Sequence, residues 1–118
     1  MAYEKHIFSV SLEAETDMTE KQYHAVKVSN PYKCDIAGAT TDAVGVVVNN
    51  PRQGMAATVV VDGIVKIQVA DGATVTAGKG VAITDGKASG EGNLGIALET
   101  VTGAGLATVL LGVTKTNA

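Results

Sequence analysis

The chain has 118 residues and a mass of 11.9 kDa, room for one domain of ordinary size. Nine Lys and Arg against twelve Asp and Glu leave a net charge of −3, so the basic surface of a nucleic-acid binder is missing, and no apolar run approaches the roughly 20 residues of a membrane helix. Neither nucleic acid nor a membrane is expected as a partner. The lone cysteine, Cys34, cannot close an intrachain disulfide or build a Cys-based metal cluster, which leaves packing and association to stabilise the fold.

Residues 1–22 carry all of the net charge, because the acids and bases after Lys21 cancel. Charges at Glu4 and Lys5 and the breaks at Ser9 and Ser11 interrupt the apolar run a secretory signal needs, so the chain is expected to fold where it is made. Phe8, Val10 and Leu12 alternate with the two serines, the pattern of a short strand with one apolar face. Glu13 to Lys21 is polar and lacks apolar periodicity. Two arrangements fit: an arm or edge strand, with Phe8, Val10 and Leu12 as candidate contacts to another subunit, joined by a linker to a compact body over 23–118; or an ordinary first strand of the sheet.

From Tyr23 onward, Val-, Ile- and Thr-rich runs alternate with Gly, Asn, Asp and Pro, which predicts an all-β domain. The expected strands are Ala25–Ser29, Val44–Asn49, Ala56–Val61, Ile64–Ala70, Val81–Thr84, Leu94–Glu99 and Leu106–Val113. Asp62-Gly63 and Asp85-Gly86 each have the signature of a two-residue hairpin turn. Ala37 to Ala43 has room for one helical turn, and Ser89 to Asn93 looks like a flexible loop.

An internal echo runs through these strands. Val44-Gly45-Val46-Val47-Val48 and Ala57-Thr58-Val59-Val60-Val61 return fifty residues later as Leu94-Gly95-Ile96-Ala97-Leu98 and Ala107-Thr108-Val109-Leu110-Leu111. Ala25-Val26-Lys27-Val28 is likewise similar to Gly80-Val81-Ala82-Ile83, with a shorter loop in the second copy. Two related β units are therefore expected to pack as halves of one small barrel or sandwich. Aromatics make up 3% of the chain, so the large blocks of buried area they normally supply are missing, and part of the Val/Ala-rich surface is expected to meet other copies or another protein.

The inventory for chemistry is short. His6 and His24 belong to no metal-binding spacing, Cys34 has no evident His partner, and no serine sits in a Gly-x-Ser-x-Gly elbow. No catalytic residue, cofactor or metal is expected; a hydrolase or binding site would have to be assembled from Asp35, Asp42 or His24. Asp71 to Gly78 has the Gly-x-x-Val-x-x-Gly turn of biotinyl and lipoyl barrels, but neither Lys66 nor Lys79 has the flanking residues of a modified carrier lysine. A barrel-sandwich carrier or adaptor stays open as an alternative.

Val44-Gly45-Val46-Val47, then Gly54, Thr58 to Lys66 and Val75-Thr76-Ala77-Gly78, and finally Leu94 to Glu99 with Val109 to Gly112, occur in an order and spacing similar to the tailed-bacteriophage capsid decoration, or cement, proteins. The resemblance covers about three-quarters of the chain. It implies a small β fold without enzymatic activity that binds the major capsid protein as a homotrimer at threefold sites on the capsid exterior. Family members vary at the N-terminus, so it implies no role for residues 1–22.

Overall fold

The computed structural model describes the backbone of residues 5–114 and the side chains of residues 8–112. Eleven strands account for most of it: β1 (Lys5–Ala14), β2 (Ala25–Asn30), β3 (Lys33–Ile36), β4 (Gly45–Val47), β5 (Ala56–Val69), β6 (Thr74–Val75), β7 (Val81–Thr84), β8 (Lys87–Glu91), β9 (Leu94–Ala97), β10 (Val101–Thr102) and β11 (Gly105–Thr114). The one helical turn among the described residues is a 3-10 turn at Thr40–Asp42, inside the stretch expected to hold one.

Nine strands run in the order β1-β3-β2-β4-β5-β11-β9-β7-β8, and two further pairings, β1–β5 and β5–β8, close this sheet on itself twice. The result is two five-stranded rings sharing β5. The first consists of β1, β3, β2, β4 and the N-terminal half of β5; the second of the C-terminal half of β5 with β11, β9, β7 and β8. Closure of this kind removes most of the unpaired edges that make open sheets prone to stray association.

The two rings are copies of one unit. Val46 pairs with Val60 and Val47 with Val59; fifty residues on, Ile96 pairs with Leu110 and Ala97 with Val109. The Val48 N–H donates to the Thr58 carbonyl and the Leu98 N–H to the Thr108 carbonyl, both at 2.9 Å. The correspondence extends beyond the echoed sequence. Tyr23 N–H donates to Val47 O as Gly78 N–H does to Ala97 O, and both donors have positive φ, 68° and 83°. The parallel contact of β1 with β3, Ala14 opposite Cys34, matches that of β5 with β8, Val69 opposite Ala88. Even a side-chain cap is repeated: Thr58 N–H donates to Asn49 Oδ1 and Thr108 N–H to Glu99 Oε2, each at 3.0 Å. Gly45 and Gly95 hold equivalent close approaches, since a Cβ on either would sit 2.4 Å from a backbone carbonyl oxygen of the neighbouring strand, that of Val60 or Leu110.

Asp62-Gly63 does not make the expected hairpin. The residues on either side have better partners than each other: Val59 and Val60 pair with β4 and β1, while Ile64 to Val69 pair with β11. The chain bends here without reversing, with Gly63 at φ 105°, as glycine does where a strand turns a barrel corner. Asp85-Gly86, by contrast, is a hairpin turn with both residues at positive φ (50° and 79°) and Thr84 paired to Lys87. β3 and β8 were not expected, because Lys-Cys-Asp-Ile and Lys-Ala-Ser-Gly-Glu have weak strand propensity; their ladder partners place them. Ser89 to Glu91, expected in a loop, lie in β8.

Each ring encloses its own core. Val26, Cys34, Val47, Val59, Ala57 and Met18 fill the first, and Val65, Ile67, Val69, Val81, Val109 and Leu111 are among those filling the second. Even eight-stranded barrels have interiors only just wide enough for side chains, so five-stranded rings demand narrow ones. That is the physical reason for the composition rich in Val and Ala and poor in aromatics.

Candidate functional site

The residues singled out for chemistry are committed elsewhere. Cys34 is fully buried in the first ring, where burial pushes its thiol above the ordinary range; its counterpart in the second ring is Ala88. His24 is also buried, its Nδ1 3.3 Å from the Gln22 carbonyl, to which it donates, and burial lowers its pKa below 6.5. Asp35 Oδ1 accepts from Thr16 Oγ1 and from the Ile36 N–H, both at 2.8 Å. Asp42 belongs to the 3-10 turn before β4. The three side chains named for a hydrolytic or binding site thus sit in separate local arrangements, and the described residues contain no cluster of three or more His, Cys, Asp or Glu with metal-binding geometry. Lys66 lies in the middle of β5 opposite Thr108, and Lys79 lies in the turn before β7, where its N–H donates to the Thr76 carbonyl.

Two surfaces remain. One is a crevice between the rings, of about 490 Å³, whose lining includes apolar Val44, Val61 and Leu94 and polar Thr40, Glu91 and Asn93. The other is β1. Residues 1–22 were expected as an arm and linker or as a first strand; here β1 is laid along β5 from Lys5 to Glu13 and touches β3 at Glu13 and Ala14. Val10 and Leu12 are partly buried against the first core, whereas Phe8 is 56% exposed. The polar stretch after β1 is also built in: Met18 is fully buried, and its N–H donates to the Pro51 carbonyl at 2.9 Å.

The acids here have local partners. Lys33 Nζ lies 3.5 Å from Glu13 and 3.7 Å from Glu15. Glu15 accepts hydrogen bonds from Asn30 Nδ2 and Ser29 Oγ, which, with Lys33 nearby, hold its carboxyl below the usual carboxylate range. Other large apolar side chains stand out from the rings, Tyr32 most of all at 86% exposure on the β2–β3 turn, where it adopts a positive φ of 59°. Its only described backbone contact with β1 is the carbonyl that accepts the Glu13 N–H.

The fold has a solved counterpart. The crystal structure of the head fiber gp8.5 N base in bacteriophage phi29 superposes with a TM-score of 0.66 over 94% of this chain and 98% of that one, at 19% identity. No protein-family model and no curated protein matches the chain. Two chains so different in sequence share one small double-ring architecture almost from end to end. The resemblance to decoration proteins continues to rest on the sequence landmarks alone.

Proposed function

We propose that the protein is a structural, non-enzymatic component of a bacteriophage virion: a homotrimer that binds the major capsid protein on the outside of an icosahedral head, at threefold sites, and stabilises the mature shell. The observation that carries this reading is the fold likeness, over 94% of the chain, to a protein named as a phage head fiber base. The sequence landmarks shared with decoration proteins supply the finer detail of trimer and threefold site. Physical chemistry supports the assignment, because a threefold site gives every protomer of a trimer the same contact, and weak contacts repeated over a shell act multivalently. Exposed Phe8, Tyr32 and Met55 provide apolar anchors of the kind interfaces use, with Phe8 on the β1 strand as the neighbour contact.

Co-sedimentation with shells of the encoding phage that lack the protein tests this. Saturable binding at one trimer per threefold site, with preference for expanded over compact precursor shells, is the expected result. Absence of binding to both shell forms overturns the proposal, and light scattering that finds no trimer, free or on the shell, overturns its oligomeric part.

A further inference from the structure

β1 is paired on one side only over most of its length. β5 covers it from Lys5 to Glu13, but on the opposite side β3 meets only Glu13 and Ala14. Among the described residues, no strand pairs with that outer edge over Phe8 to Leu12. The hydrogen bonds at its C-terminal end fix which peptide groups point there. Ala14 N–H turns inward to the Met55 carbonyl, whereas Glu13 and Glu15 N–H turn outward to Tyr32 and Cys34. Peptide groups alternate along a strand, so in the same register Ser9 and Ser11 present their N–H and C=O groups outward. The register shift lies before Ser9 and leaves this parity intact.

Natural proteins blunt such edges with charge, proline or a covering segment. Phe8-Ser9-Val10-Ser11-Leu12 has no charge and no proline. It is, however, nearly palindromic in character: apolar, Ser, Val, Ser, apolar. An antiparallel contact centred on Val10 sets Ser9 opposite Ser11 and Phe8 opposite Leu12 of another copy. The outward groups then meet their complements, Ser9 N–H and C=O exchanging bonds with Ser11 C=O and N–H on each side of the axis, with Val10 facing Val10 between them. β3 limits the free stretch at Glu13, and within it Phe8 to Leu12 are symmetric in character about Val10.

We infer that the outer edge of β1 is a self-complementary docking strand whose occupant is the β1 of a second copy, joined across a twofold axis over residues 8–12. An isologous contact of this kind buries the same patch on both partners and satisfies four backbone groups per copy that otherwise face solvent. The inference deepens the virion reading and rests on it for its setting: neighbouring threefold sites on an icosahedral shell are related by twofold axes, so this contact ties one trimer to the next. The strand itself requires only a second copy.

The test uses the full chain with Val10→Cys, incubated free in solution with oxidised glutathione as the oxidant. Directly opposed residues of a non-hydrogen-bonded pair come close enough for a disulfide. The wild-type chain is the blank, since its Cys34 is buried. A cross-linked dimer is expected for V10C. It should be lost when Ser9→Lys and Ser11→Lys are added, which set like charges opposite each other twice, and kept when Ser9→Lys is combined with Ser11→Glu, which sets opposite charges together. Ser9 and Ser11 are exposed, and circular dichroism of each variant confirms that the fold is unchanged. Absence of the V10C dimer, or a dimer indifferent to the two lysines, overturns the inference. Shell binding is scored separately: a chain that sediments with shells but fails to cross-link refutes the twofold contact alone, and one that cross-links but ignores shells refutes the virion reading alone.

Discussion

Met18→Ala tests whether the polar segment after β1 is structural. Met18 is fully buried and packs into the first ring with Ala14, Val26, Cys34, Val47, Ala57 and Val59. Truncation removes Cγ, Sδ and Cε from this core. The backbone cannot follow the void inward, because Met18 N–H is held by the Pro51 carbonyl and its carbonyl accepts the Lys21 N–H. Large-to-small changes at sites that collapse poorly lie in the middle or upper part of the range for such substitutions, so about 3 kcal/mol is expected. For a chain of this length that corresponds to a midpoint lowered by roughly 10–15 °C in a thermal melt followed by circular dichroism. The second ring carries more volume at the neighbouring position: Val69 stands where the first ring has Ala14. Adding Ala14→Val to Met18→Ala should therefore recover part of the loss. Phe8→Ala, at an exposed position of β1, should cost less than about 1 kcal/mol. A Met18→Ala protein melting within about 2 °C of wild type, a shift equivalent to well under 1 kcal/mol, would refute the assignment of this segment to the core.

Val47→Asp places an unpaired carboxylate where Val47 is now fully buried; a cost of several kcal/mol, comparable with the whole stability of a small domain, is expected, and urea titration should find the chain unfolded or insoluble. His24 sets a pH dependence: burial lowers its folded pKa below 6.5, so the unfolded chain binds the proton more readily. Its contribution is fully present above pH 6.5 and is lost as pH falls through the folded pKa; melts between pH 5 and 8 should show this slope, and His24→Gln should flatten it.

The duplication was legible in the sequence because its strongest part is a strand pair whose members stand the same distance apart in both copies. Val46 with Val60 and Ile96 with Leu110 share a register because the loops joining them have equal length. The first half of each unit was harder to see. There the equivalences change spacing, chiefly because the second copy shortens the connection that holds the 3-10 turn in the first, and the residues diverge, with Ala88 standing where the first copy has Cys34. Met18 gave no signal at all: it is a single apolar residue among charges, held by tertiary packing without any periodicity of its own. Asp62-Gly63 misled for a different reason. Turn chemistry reports what a dipeptide tolerates, while pairing elsewhere decides whether the chain reverses there, and β5 finds β4, β1 and β11 on its flanks.

Sharing β5 couples the two rings and bears on what the molecule can do. A strand of 14 residues carries one edge of both closures, so neither ring can open without disturbing a ladder of the other. Ala25, Ala37, Val46 and Val60 from the first ring pack into the core cluster of the second, which adds a side-chain seam to the backbone one. Linked in this way, the rings should unfold as a single cooperative unit, with coincident transitions for the two halves despite the repeat. A body that yields only as a whole suits a proposed clip on a pressurised shell, where load reaching one contact surface has to be transmitted to another. The surface groups best placed for such contacts, Phe8 and Tyr32, project from the first ring, and their counterpart positions in the second carry no aromatic. The duplicated framework is thus symmetric in its pairing and asymmetric in its surface, as a protein needs to be if one end is to grip and the other to face outward.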